Sequence, residues 1–188
     1  MKLIGSTTSP YVRKVRLLLS NTEYEFEELK ALTPEGAKLL GSYGPIKRIP
    51  ILKVDQLTIF DSTLICEYLL EKRGIQLSIE EKLNLKLIDE LCDSSIMLFQ
   101  QKIWKIDHQW ENTFSKRLYE RAFGVLKTLE ELQSRRKLTE LQEDWLYCVL
   151  DWLSFRSVYD WQEAHPALKE FYESSREIEK YQSTRLEQ

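Results

Sequence analysis

The sequence predicts a two-part fold: an α/β domain over residues 1–74, followed by an all-helical domain over residues 79–188. Three observations carry this expectation. Residues 44–65 hold a proline-led hairpin that runs straight into a helix. Upstream of it, apolar strand patterns alternate with a helical pattern. From about Leu77 strand patterns vanish, glycine becomes scarce, and long amphipathic periods take over.

In chain order, Lys2 to Ser6 reads as a short apolar strand broken by Thr7, Thr8, Ser9 and Pro10. Pro10 suits the first turn of a helix, with Ser9 before it as cap. Val12, Val15, Leu18 and Leu19 recur at helical spacing, which sets Arg13, Lys14 and Arg16 outward, and the helix ends near Ser20-Asn21. Tyr24 to Leu29 alternates apolar and acidic residues, as a half-buried strand does. The order is that of a βαβ unit. Pro34 to Leu40 reads as a short helix closed by Gly41. Ile51–Val54 and Leu57–Phe60 flank the polar pair Asp55-Gln56, a two-residue hairpin loop. Pro50 lacks an N–H to donate to a sheet ladder and stands at the mouth of the first of these strands. Asp61 or Ser62 caps the next helix, which carries Leu64, Ile65, Tyr68 and Leu69 and stops at Gly74. The uncapped N–H groups and positive dipole end of such a helix suit an anion.

In the second half, helices are expected at 79–104, 111–135, 140–159 and 165–180. Thr139 and Gln142 form a capping box for the third of these. Trp145 to Leu153 is apolar on most faces, as expected of a central core helix. Asp89-Glu90 and Glu80-Glu81 read as solvated helix faces.

Composition removes several function classes. With 43% hydrophobic residues the chain is not of the disordered type, and its 188 residues suffice for a sizeable core. A formal charge of −3 without a basic stripe disfavours nucleic-acid binding. No apolar run reaches the roughly 20 residues of a membrane span. Met1 to Ser6 leads directly into a strand and lacks a signal-peptide layout. Cys66, Cys92 and Cys148 lie far apart within helical patterns, as buried reduced thiols of a cytoplasmic protein do. No Cys/His spacing suggests a metal site; His108 and His165 are the only histidines.

The stretch Gly44-Pro45-Ile46-Lys47-Arg48-Ile49-Pro50-Ile51-Leu52, followed by Asp61-Ser62, resembles the glutathione site of cytosolic glutathione transferases. In that family the segment is typically Asn-Pro-x-Gly-Lys-Val-Pro-x-Leu, followed by Glu/Asp-Ser at the head of the third helix. Gly44 stands here for the usual Asn and Lys47 for a usual Gly. The element order likewise matches the family's thioredoxin-like domain, with a helical-bundle domain after it. Ser9-Pro10-Tyr11-Val12-Arg13-Lys14-Val15-Arg16 looks like the serine-type members, where the serine before the proline contacts the glutathione sulfur.

The resemblance implies a cis Pro50, main-chain pairing of Ile49 with the cysteinyl part of glutathione, and Asp61 and Ser62 at its γ-glutamyl end, with Arg48 assisting. It implies Ser9 as the catalytic hydroxyl, conjugation of the thiolate to a small hydrophobic electrophile, and a homodimer. Phe99, Trp104 and Trp110, on the helices that face the glutathione site in the family, would line the electrophile pocket together with Tyr11. Thr7, Thr8 and Tyr11 are alternative hydroxyls. Read from the residues alone, Ser9, Asp61 and Ser62 are helix caps, Arg48 is a solvated charge, and Cys66 is a packing residue. A non-catalytic regulatory protein on the same scaffold, like the stringent starvation protein A family, is the alternative. A glutathione-dependent reductase or peroxidase is a further one.

Overall fold

The computed structural model describes residues 1–30, 33–107 and 109–186, so that His108 lies outside it. The chain forms two compact units, Met1–Gln76 with Ile178–Gln188, and Leu77–Glu177.

In the first unit, β1 (Lys2–Gly5), α1 (Pro10–Leu18), β2 (Glu25–Glu28), α2 (Pro34–Tyr43), β3 (Ile51–Val54), β4 (Leu57–Phe60) and α3 (Ser62–Lys72) follow in order. The sheet order is β2-β1-β3-β4. β1 runs parallel to β2 and antiparallel to β3, and β3 is antiparallel to β4. Side chains alternate between the faces of the sheet. Ile4 and Ile51, opposite each other, join Leu29 and Leu40 of α2 in one buried cluster, with Tyr43, Ile49 and Phe60 packed against it. Leu3 and Leu52, also opposite each other, are fully buried on the other face. α1 packs against α3. Val12 of α1 comes so close to the end of β1 that a Cβ at Gly5 would lie 2.5 Å from its Cγ2, so only glycine fits there.

The hairpin has its two-residue loop at Asp55-Gln56, with Asp55 at φ 52°. α2 runs past Gly41 to Tyr43, so Gly41 does not close it; Gly44, at φ 153°, does. A Cβ at Gly44 would lie 2.5 Å from Phe60 Cζ, and the ring's closeness accounts for glycine where the family pattern has Asn. α3 ends just before Gly74, at φ 68°.

Two outward expectations for α1 are corrected. Arg13 and Lys14 are buried, 1% and 4% exposed. Arg13 donates from Nε to Thr184 Oγ1 (3.3 Å) and from its NH2 nitrogen to the Tyr181 carbonyl (2.9 Å). Lys14 Nζ lies 6.0 Å from the Tyr11 ring centroid. Helical periodicity alone sets these residues outward, but the segment Ile178–Leu186 clusters with the first unit and its polar main chain receives the guanidinium.

The second unit consists of α4 (Ile79–Ile103), α5 (Thr113–Ser134), α6 (Glu140–Arg156) and α7 (Pro166–Ser175). A last short helix, α8 (Glu179–Gln182), belongs to the first unit. The expected single helix over 165–180 is therefore two pieces. α4 packs on α5 and α6, and α7 packs on α5 and α6. Trp145 to Leu150 of α6 are all buried, as its all-round apolar character requires. The Thr139–Gln142 capping box is present. The three cysteines are free and buried.

α7 starts at Pro166 with no cap from its own N-cap side chain, His165. Glu130 of α5 supplies one, accepting from Ala167 N (2.8 Å) and Leu168 N (2.9 Å). The expectation of solvated acids fails at Asp89, which is 7% exposed on the packed side of α4. It fails in part at Glu81, whose Oε2 accepts from the Ser78 main-chain N–H and hydroxyl as the N3 member of the α4 capping box.

Candidate glutathione site

Strand register brings the sequence-predicted residues of the first unit together. Ile4 of β1 opposes Ile51 of β3, which opposes Phe60 of β4. The chain therefore leaves β1 at Gly5, enters β3 from Pro50 and leaves β4 into Asp61 at one and the same end of the sheet. The Thr7–Ser9 turn, the Ile49-Pro50 step and the head of α3 all sit at that end. The Ile49–Pro50 peptide is cis.

Ser9 is the N-cap of α1, with Pro10 as the first helical residue. Its Oγ accepts from Val12 N at 3.4 Å, and its own N–H donates to the Ser6 carbonyl. The turn's other hydroxyls are engaged differently. Thr7 donates to Glu28 Oε1 (2.9 Å), while Ser6 and Thr8 share a hydrogen bond of 3.1 Å. The Ser9 hydroxyl only accepts here; among the described residues its proton has no acceptor. A hydroxyl with a spare proton at a positive helix end can donate to an anion placed there.

The Ile49 side chain packs on the Ile4/Leu29/Leu40/Ile51 cluster, yet among the described residues its main chain joins no backbone hydrogen bond. The ladder with β1 begins one residue after Pro50. An anchored residue with unpaired N–H and C=O at a sheet end is suited to pairing with an extended peptide. Arg48 is exposed and makes no ion pair among the described residues. Lys47 occupies the left-handed region, φ 52°, at the position where the family pattern carries glycine.

Asp61 caps α3. Its Oδ1 accepts from both Thr63 N (2.9 Å) and Leu64 N (3.1 Å), and its carbonyl takes Ile65 N. Oδ2 accepts from neither amide, and the Ser62 N–H is left without a backbone acceptor among the described residues. Asp61 is exposed and Ser62 is 6% exposed. Asp61 holds φ 71°, ψ 128°, a backbone conformation rare for a non-glycine residue and found where surroundings impose it. Sequence carries no signal for that strain. The head of α3 thus offers a carboxylate oxygen for an ammonium group and an amide N–H for a carboxylate.

Of the expected electrophile-pocket residues, Tyr11 lies on α1, while Phe99 and Trp104 belong to the second unit. Phe99 packs edge-on against Trp152, centroids 5.5 Å apart. Trp104 caps α4 and is 58% exposed. Trp110 donates from Nε1 to the Leu98 carbonyl and packs near Tyr119 and Tyr159. Among the described residues no group of three or more His, Cys, Asp or Glu could hold a metal ion, and no helix is long and apolar enough to cross a membrane.

Residues 3–77 match the family model for the glutathione S-transferase N-terminal domain. The uncharacterized GST-like protein YibF of Escherichia coli K12 is 36% identical over 70 residues, 37% of this chain and 35% of that protein. The match thus spans about a third of the length of that relative. A glutathione transferase family member from Pseudomonas fluorescens Pf-5, solved with bound glutathione, superposes with a TM-score of 0.85 at 21% identity, covering 100% of this chain and 99% of that one. A glutathione S-transferase from Methylobacterium radiotolerans, in complex with glutathione sulfonate, gives 0.84 at 20% identity, with 100% and 95% covered. These two likenesses establish the fold.

Proposed function

We propose that this chain, whose residues 3–77 match the glutathione S-transferase N-terminal domain, binds glutathione and conjugates its thiolate to a small hydrophobic electrophile. The observation that carries this reading is the meeting, at one sheet end, of the Ser9 hydroxyl, the unpaired main chain of Ile49 and the Asp61-Ser62 helix head. Ile49 pairs with the cysteinyl main chain beside Pro50. Asp61 takes the γ-glutamyl ammonium, the Ser62 N–H takes its carboxylate, and Arg48 adds charge.

The chemistry asked of Ser9 is modest. A free thiol ionises at about pH 8.5, so only a few per cent is thiolate at neutral pH. Lowering that pKa by about two units takes roughly 2.7 kcal/mol of selective thiolate stabilisation. A hydrogen bond to a charged acceptor supplies roughly 1.5–3 kcal/mol, and a helix N-terminus up to about 2 kcal/mol. The Ser9 proton and the head of α1 together cover the requirement. The thiol proton leaves to solvent, the sulfur lone pair forms the bond to the electrophilic carbon, and the leaving group departs with its electron pair.

The test is turnover of small aryl and alkyl electrophiles by the wild type and by Ser9→Ala. The reading expects a loss of about tenfold or more in kcat with little change in glutathione affinity, together with a shift of the ascending limb of the pH–rate profile, where thiol becomes thiolate, to higher pH. Unaltered turnover and pH profile in Ser9→Ala would remove Ser9 from the mechanism. A wild type that turns over disulfides or hydroperoxides but no electrophile would replace conjugation by reduction. We further propose a homodimer; a sedimentation mass near 22.4 kDa at micromolar concentration would refute it.

A further inference from the structure

The C-terminal end of α6 holds a guanidinium that meets no anion among the described residues. Arg156, the last residue of α6, has its guanidinium carbon 4.8 Å from the Phe155 ring centroid and 5.5 Å from that of Phe99. Phe99 is itself fixed edge-on against Trp152. Arg156 Nε is buried and has no hydrogen-bond partner among the described residues, nor does any carboxylate among them form an ion pair with the group. A second cation reaches the same end of α6: exposed Lys102 of α4 has its Nζ 3.5 Å from the carbonyl of Ser157, the residue after Arg156. Lys102 too is without an ion-pair partner among the described residues. Burial pulls the Arg156 pKa below the usual arginine range, with no neighbouring acid to offset it.

A guanidinium packed on aromatic rings sets a flat face on the π system and leaves its terminal N–H groups for a ligand at the edge. That edge matches a carboxylate, which takes two parallel N–H bonds. The apolar side of the place is defined as well. Ile103, four residues after Phe99 and so on the same side of α4, is 42% exposed.

We propose that Arg156, with Lys102, Phe99 and Phe155, forms a binding site for a small apolar carboxylate at the end of α6. The ligand's carboxylate meets the Arg156 edge and Lys102, and its apolar body lies on the Phe99–Ile103 side of α4. The site uses none of the residues assigned to glutathione and shares only Phe99 with the expected electrophile pocket, so a titration without glutathione tests it apart from glutathione binding.

The experiment is calorimetric titration of the full chain with 3-phenylpropanoate and, separately, with its uncharged amide, at low salt and without glutathione. The expected result is binding of the acid about tenfold or more tighter than the amide. Arg156→Gln should reduce that preference to within about threefold, and Lys102→Gln should reduce it in part. Equal affinities for acid and amide in the wild type, absence of binding of the acid, or a preference that survives Arg156→Gln would overturn the proposal. Should Arg156→Gln not fold, Lys102→Gln at its exposed position decides: a reduced preference supports the site, and an unchanged one rejects it.

Discussion

The NH2 nitrogen of Arg13 donates to the carbonyl of Tyr181, 2.9 Å away and 168 residues later in the chain. The same guanidinium reaches Thr184 through Nε, and Arg16, one turn on, reaches the Ser183 carbonyl at 3.4 Å. Ser9 accepts the Arg13 main-chain N–H at its carbonyl, so the helix that presents Ser9 is also the helix that grips the C-terminal segment.

Removing the Arg13 guanidinium strands at least one buried carbonyl and leaves a void. Arg13→Met should destabilise the protein by about 2–4 kcal/mol in urea unfolding. Deleting residues 178–188 should cost more, because the buried charge then loses its acceptors. An Arg13→Met variant with a wild-type urea midpoint would mean that the segment contributes nothing to the first unit.

Lys47 holds φ 52° without a glycine's freedom. Left-handed backbone costs an ordinary residue about 1–2 kcal/mol, partly offset by the flexibility glycine adds to the unfolded chain. Lys47→Gly should therefore stabilise by up to about 1 kcal/mol. Gly44→Ala should do the reverse, since its φ of 153° is unfavourable and the Phe60 ring fills the space. Thermal midpoints of the two variants check both signs, and a midpoint lowered by Lys47→Gly would contradict the first.

Glu27 of β2 accepts from Lys2 of β1 and from the Tyr43 hydroxyl at 2.6 Å. The hydrogen bond from Lys2, and then that from Tyr43, hold its carboxyl below the usual carboxylate range. A depressed folded pKa contributes stability above the unfolded value of about 4.3 that is lost as pH falls through the folded one. The partners act at the other end. Lys2 is raised chiefly by its bond to Glu27, and Tyr43 is raised by burial and then by Glu27. Their contribution is complete below their unfolded values of about 10 and is lost as pH rises through the folded ones. Glu27→Gln should flatten stability against pH on both limbs; parallel wild-type and variant curves would exclude the network as their cause.

What was legible in the sequence was local. Asp55-Gln56 between two apolar runs, Pro10 after Ser9, and Thr139 three residues before Gln142 each carry their own turn or cap chemistry, and each forms as read. The resemblance of 44–52 and 61–62 located a segment that lies inside residues 3–77, which match the glutathione S-transferase N-terminal domain. What was not legible depends on partners distant in the chain. Arg13 is buried because residues 181 and 184 come back to it, and α7 is capped from Glu130 of α5. Asp89 sits on the packed side of α4. No window of periodicity contains such pairs. The open Ser9 proton and the strained Asp61 also appear only once the neighbours of each group are known.

The sheet end bearing Ser9, Ile49 and the head of α3 is the proposed seat of glutathione. Calorimetric titration of the purified protein with glutathione, beside the Asp61→Ala, Ser62→Ala double variant, tests it most directly. Saturable wild-type binding, lost or weakened at least about tenfold in the double variant, is the result predicted here. No heat of binding from the folded wild type, or equal affinity in the double variant, would contradict it.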